Sequence, residues 1–166
     1  MILPAQTIRA LCLGNRPMIS PFTERIVVNG MSAGLSSCGY DIRIAEDIQL
    51  WPQGKAQFNT FKAFSLASTI EAFNIPTDIM MEIKDKSTWA RLGIAVQNTI
   101  AEPGWKGETL TLEISNHGPE TVRIEAGSPI AQAVFHRLEE ATELVYSGKY
   151  HNAPKGAQEA IFEHSA

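Results

Sequence analysis

Four groups of residues in this 166-residue sequence have types and spacing suited to chemistry: Lys86-Ser87-Thr88 with Arg91, Glu102-Pro103-Gly104-Trp105, Glu113, and Gly148-Lys149-Tyr150. Cations and hydroxyls beside a helical turn suit a phosphate, because charged N–H and hydroxyl donors converge on its oxygens. A carboxylate held on a rigid strand suits proton transfer. Each group also has a plainer role. Ser87 and Thr88 can simply cap a helix, Glu113 can be a solvated residue on the wet face of a sheet, and Lys149-Tyr150 can be surface loop.

Such side chains need elements to hold them. AQTIRALCL, with Ile8, Leu11 and Cys12 at helical spacing and a stop at Gly14-Asn15, predicts a short amino-terminal helix. Beyond it the chain offers short β-like runs divided by Pro, Gly, Asn and Asp: DIRIAEDIQLW, FKAFSLAS, TIEAFNI, DIMMEIKD, GIAVQNTI, ETLTLEISN, TVRIEA, PIAQAVFHRL and ELVYS. Turn signals about 8–12 residues apart predict an antiparallel sandwich or barrel rather than alternating strands and helices. In TLTLEISN, alternation puts Leu110, Leu112 and Ile114 on one face and Thr109, Thr111, Glu113 and Ser115 on the other. KDKSTWARLG predicts a helical turn with Ser87 or Thr88 at its cap. The stretch from Ser147, with Gly148, Asn152, Pro154 and Gly156, reads as a mobile tail or lid with a few helical residues in AQEAIFEH.

Composition bounds the partners. Fourteen Lys and Arg against 18 Asp and Glu leave a net charge of −4, and no window clusters cations as nucleic-acid binding requires. The length fits one domain, residues 1–166, with a core of its own. No run approaches the roughly 20 apolar residues of a membrane span. The amino terminus, with Pro4 and no charged leader before an apolar run, does not look like a signal peptide, so the expected location is cytoplasmic, with Cys12 and Cys38 as reduced thiols. Two Cys and four His provide none of the common zinc spacings. His117 and His136, each followed by Glu three residues on, fall on or beside strands, where such pairs face opposite ways, so no metal site is expected of them.

In joint order the motifs resemble those of the dCTP deaminases of the trimeric dUTPase superfamily, from about Ser36 to Gly156. SSCGYDIRIAED is similar to the family's S-S-x-G-Y-D-[IV]-R opening, and KSTWARLGI to its [RK]-S-[ST]-x-A-R-x-G phosphate motif. EPGWKG followed by TLEISN resembles [DE]-P-x-[WF]-x-G with T-L-E-x-x-N, IAQAVF resembles I-[AG]-Q-x-x-F, and GKY the tail's G-K-Y-Q.

The resemblance implies a mainly β fold, a distorted antiparallel jelly roll or barrel of the dUTPase-like type with a short amino-terminal helix and few other short helices. It implies a homotrimer with active sites at subunit interfaces, and zinc-independent hydrolytic deamination of a deoxycytidine nucleotide, dCTP favoured, with Mg²⁺ carried by the phosphates. The product would feed thymidylate synthesis as dUTP or dUMP. By position, Glu113, Ser87 and Arg91 match the catalytic residues. Lys86, Ser87, Thr88, Trp89, Ala90 and Arg91 match the segment that contacts the triphosphate and active site. Glu102, Gln132, Tyr146 and Lys149 match nucleotide contacts, and Thr111, Leu112 and Glu113 the base-reading strand. Asp41 and Arg43 match the opening motif, with an expected role as a buried pair organising the trimer.

Three places depart from the pattern. Asp85 stands where a Gly is usual, one residue is extra between Gly107 and Thr111, and GKYHNAPKG lacks the tail glutamines expected three and five positions after Gly148. His151 can replace one of them or be an ordinary loop residue. Competing readings are a dUTPase, a bifunctional enzyme that continues to dUMP, and a catalytically silent nucleotide-binding regulator on the same fold.

Overall fold

The two longest apolar alternations in the chain pair with each other. In the computed structural model, which describes residues 1–52 and 62–162, DIMMEIKD and PIAQAVFHRL form adjacent antiparallel strands joined over seven residue pairs, from Ala131 opposite Asp85 to Arg137 opposite Ile79. Their inward residues, Ile79, Met81 and Ile83 against Ala131, Ala133 and Phe135, are fully buried, as a period of two demands when one face of a sheet is covered.

The strands in chain order are β1 (Ile19–Ser20), β2 (Ile26–Val28), β3 (Met31–Leu35), β4 (Tyr40–Arg43), β5 (Ile48–Leu50), β6 (Phe64–Ser68), β7 (Ala72–Asn74), β8 (Ile79–Asp85), β9 (Ile94–Val96), β10 (Ile100–Ala101), β11 (Lys106–Gly107), β12 (Thr111–Asn116), β13 (Val122–Ile124) and β14 (Pro129–Arg137). Among the described residues two helices accompany them, α1 (Ala5–Cys12) and α2 (Ser87–Ala90). The largest sheet runs β10-β8-β14-β4-β3-β2. Smaller sheets run β1-β7-β11, β6-β12-β9 and β13-β5. Among the described residues every pairing between these strands is antiparallel. No helix among the described residues is long and apolar enough to cross a membrane, and Cys12 and Cys38 are free, the first buried and the second exposed.

Several sequence expectations are corrected. DIRIAEDIQLW is broken into β4 and β5 by a turn in which Glu46 accepts from the Ser68 backbone N–H at 2.8 Å. ELVYS forms no strand. It lies instead against the turn at Pro103, whose carbonyl accepts from the Tyr146 N–H at 3.0 Å. The part of AQEAIFEH within the described residues, up to Phe162, is not helical. β1, β2 and β3 carry no long apolar alternation and were not expected. The beginning of FKAFSLAS, Phe61, lies outside the described residues. Asp41 and Arg43 are not a pair. Two residues apart along β4, they take separate partners: Asp41 meets Lys86 at 3.1 Å while Arg43 meets the buried Glu71 at 2.8 Å.

Candidate active site

β12 carries the sequence's central candidate. Leu112 and Ile114 are fully buried on one face, which fixes the register and turns Thr111 and Glu113 to the other. There, Leu66 of β6 stands directly opposite Glu113, and Ser68 opposite Thr111. On the other side of β12, the Gln97 N–H donates to the Glu113 carbonyl at 2.9 Å. The backbone of Glu113 is thus held from both flanks.

The Glu113 carboxyl opens into a cavity of about 450 Å³, large enough for a small ligand. Its walls come from Phe64 and Leu66 of β6, Thr99–Glu102 around β10, Trp105, Leu110–Thr111, and the carboxyl-terminal residues Tyr146, Tyr150, Ala153 and Gln158–Ala160. Burial raises the Glu113 pKa above the ordinary carboxylate value, because a low-dielectric wall penalises the charged form. Among the described residues no Lys or Arg forms an ion pair with Glu113, so Arg91 does not offset that effect within one chain.

The turn before the site is built by EPGW. Trp105 N–H donates to the Glu102 carbonyl at 3.0 Å across Pro103 and Gly104, and Gly104 has φ 84°. Proline first and a positive-φ glycine second is the type II pattern. The turn then anchors the tail. Its Pro103 carbonyl holds Tyr146, and the buried Trp105 indole N–H donates to the Tyr150 carbonyl at 2.9 Å.

The extra residue before β12 forms a turn, and the altered tail is fastened to it. Glu108 N–H donates to the Ala153 carbonyl at 2.8 Å. The Thr109 hydroxyl accepts from Gly156 N–H at 3.1 Å and faces the Pro154 and Gly156 carbonyls at 3.2 Å. Thr111 Oγ1 accepts from Gln158 N–H at 2.9 Å. Two departures from the family pattern therefore meet in space, and residues 146–160 lie along the cavity as a lid would.

The remaining candidates gather elsewhere. Lys86, not Ser87 or Thr88, occupies the N-cap of α2, with no side-chain cap bond. Its ammonium lies 3.1 Å from both Asp41 Oδ2 and Ser32 Oγ, and its side chain is only 10% exposed. Gln132 Nε2 reaches Ser36 Oγ at 3.1 Å and Asp41 Oδ1 at 3.5 Å. Ser87, Thr88, Ala90 and Arg91 are exposed on α2 and its end, while Trp89 pins the helix by donating to the Pro129 carbonyl at 2.7 Å. That carbonyl sits where the β14–β4 register shifts between Pro129 and Ala131, an irregularity that leaves backbone free for other partners. Gly93 closes the segment at φ 85°, where a Cβ would lie 2.4 Å from Gly118 N.

Asp85 is not beside a free phosphate site: its carboxylate accepts from Val96 N–H at 2.8 Å and ties β8 to β9. Lys149 Nζ lies 5.4 Å from the Tyr150 ring centre. His151 packs near Tyr146, ring centres 6.1 Å apart.

One chain thus brings together Glu113, Thr111, Glu102 and Tyr146, and separately Lys86 and Gln132 beside α2. α2 leads through Gly93 to Ile94, the partner of Asn116, three residues and about 10 Å along β12 from Glu113. None of Lys86, Ser87, Thr88, Arg91, Gln132 and Lys149 lines the cavity. Sequence reasoning missed Leu66, whose only signal was its place in an apolar run, and the tail residue Gln158. Among the described residues no group of three or more His, Cys, Asp or Glu is arranged to hold a metal ion.

Comparison with known proteins adds a family. Residues 50–138 match the family described as dCTP deaminase-like. The dCTP deaminase of Sulfurovum sp. (strain NBC37-1) is 39% identical over 160 residues, covering 82% of this chain and 85% of that protein. That of Campylobacter concisus (strain 13826) is 38% identical over 167 residues, covering 88% of each. Among solved structures, the 2′-deoxycytidine 5′-triphosphate deaminase from Agrobacterium tumefaciens superposes with a TM-score of 0.60 at 18% identity, over 82% of this chain and 48% of that one. The native EIAV dUTPase gives 0.53 at 15% identity, over 80% and 98%. At such identities these structures establish the fold, the dUTPase-like antiparallel architecture that the motif order implied.

Proposed function

The chain belongs to the dCTP deaminase family, and from that premise we propose that Glu113 moves the protons as water replaces the 4-amino group of dCTP. The enzyme is a dCTP deaminase. The observation that carries the role of Glu113 is its position: a carboxyl on a doubly paired strand, opening into a cavity of about 450 Å³, with its pKa raised by burial.

The reaction needs a base and then an acid. The ionised carboxylate takes a proton from water as its oxygen bonds to C4, and passes that proton to N3. It next takes the hydroxyl proton from the tetrahedral carbon and delivers it to the amino group. The C–N bond breaks, ammonia leaves, and C4 is left as a carbonyl. A carboxyl whose pKa lies nearer neutrality exchanges protons in both directions at lower cost than one in its ordinary range, and such catalysis is worth roughly 10²–10⁴-fold.

Ser87 and Arg91 complete the site from a second subunit of a homotrimer. What supports sharing is their separation: they stand exposed on α2, outside the cavity that holds Glu113. Arg91 is then the donor nearest the developing charge, and Ser87 and Thr88 contact the phosphates, on which Mg²⁺ arrives as part of the substrate. Thr111 and Leu112 present strand backbone to the base, and Lys149 and Tyr146 close from the tail. The location proposed is cytoplasmic.

The test is to incubate the protein with dCTP, dCDP, dCMP, 5-substituted dCTP and dUTP with Mg²⁺, measuring ammonia and pyrophosphate separately. Ammonia from dCTP without pyrophosphate is expected. Pyrophosphate with the ammonia makes the enzyme bifunctional, and pyrophosphate from dUTP alone makes it a dUTPase. Neither product would overturn the reading.

A further inference from the structure

Gln158 lies beyond every motif in the chain, yet it lines the cavity beside Glu113. Its backbone N–H is fixed by Thr111 Oγ1 at 2.9 Å. Thr111 and Glu113 are two residues apart on one face of β12, about 7 Å, so the tail is held over the same wall that carries the carboxyl. The side chain is oriented too. Nε2 donates to the Gly156 carbonyl at 3.0 Å, and since a carbonyl only accepts, the amide must turn its NH₂ that way. One N–H and the amide oxygen then take no partner among the described residues.

The surroundings decide what such an amide meets. The cavity is lined by the acidic residues Glu102, Glu113 and Glu159 and by apolar residues such as Phe64, Leu66 and Ile100. No Lys or Arg lines it among the described residues. Three acidic residues with no cation from their own chain make this wall unfavourable for phosphate, whereas a neutral heterocycle fits an apolar wall with a few convergent polar groups.

We infer that Gln158 is a substrate-binding residue that donates its free amide N–H to a ring acceptor of the pyrimidine, supplying from the tail a base contact that β12 alone lacks. This rests on the assignment of Glu113 and its cavity to the base. Thr109, which holds Gly156 two residues earlier, is the positioning residue that keeps the amide in place.

The test measures dCTP binding calorimetrically in the Glu113→Gln background, so that turnover does not intervene, with and without Gln158→Ala or Gln158→Glu. Both are expected to weaken dCTP binding about three- to tenfold, the worth of one neutral hydrogen bond, because Glu keeps the chain length but loses the donor. Inorganic triphosphate is the control probe, and its affinity is expected to be unchanged. Unchanged dCTP affinity in Gln158→Ala, or wild-type affinity in Gln158→Glu, overturns the contact. An equal loss for triphosphate overturns the assignment to the base. A parent enzyme that releases no ammonia from dCTP refutes the activity, while these binding constants still judge Gln158.

Discussion

Glu113 and Leu66 face each other directly across the β12–β6 ladder, and both line the cavity. Directly opposed residues have Cβ atoms about 4.5–5.5 Å apart, so the leucine excludes water from one side of the carboxyl whose pKa is raised. Replacing Leu66 by Ser is expected to lower the acidic limb of the kcat/KM profile toward the ordinary carboxylate value, because the ionised base is then better solvated. A limb that stays in place would show that Leu66 does not set the pKa.

Glu113→Gln is expected to lower ammonia release by at least about 10²–10⁴-fold while dCTP binding persists. The same change bears on stability, with a definite sign. A carboxyl whose folded pKa lies above its unfolded value stabilises the fold fully below the unfolded pKa and loses that contribution as pH rises through the folded one. The Gln variant should therefore melt at a higher temperature than the parent at pH 7–8, and the difference should shrink below about pH 4. A lower melting temperature at neutral pH would contradict a burial-raised carboxyl.

What could be read from sequence follows the strength of local pattern. β12 and β14 were legible because their alternation is long and one face is mainly apolar. β1 to β3 were not, since Met31-Ser-Ala-Gly-Leu buries small residues that carry little periodic signal. ELVYS has strand composition but no partner strand among the described residues, and packs on the EPGW turn instead. At the site, Glu113 and Trp105 sit in recognisable motifs. The anchoring of the tail by Thr109 and Thr111 is a relation between segments some 47 residues apart, which no local pattern encodes.

Ser87→Ala and Arg91→Ala should each cut turnover severely. A shared site adds a sharper test. Mixed and reassociated, inactive Glu113→Gln and Arg91→Ala proteins should regain activity, since a site takes its glutamate from one subunit and its arginine from another. Random trimers would restore about a quarter of the parent's sites. Mixtures that stay inactive after verified subunit exchange would place both residues in one chain's site.

The Lys86–Asp41 pair is nearly buried, with side chains 10% and 6% exposed. Removing one partner strands the other, so Lys86→Met should destabilise by about 3–5 kcal/mol, read by urea unfolding. The double change with Asp41→Asn should recover part of that loss. A Lys86 that instead serves phosphate would give the opposite result, a raised KM with stability unchanged.

Gly104→Ala tests whether the EPGW turn seats the lid. A Cβ there would lie 2.2 Å from Val145 Cγ1, and φ 84° is itself unfavourable for alanine. Trp105, next in the turn, is buried against Phe73, so the strain is relieved most readily by lifting residues 145–150 off Pro103. Lifting them frees Tyr146 and Lys149 and breaks the Trp105–Tyr150 bond. The variant should show a KM for dCTP raised about tenfold or more, a much smaller change in kcat, and faster proteolysis after Tyr146. Lys149→Ala should raise KM in the same direction without the added proteolysis, because it removes a cation and leaves the seating intact. If Gly104→Ala lowered kcat and left KM alone, the turn would act on the chemistry of Glu113 rather than on closure.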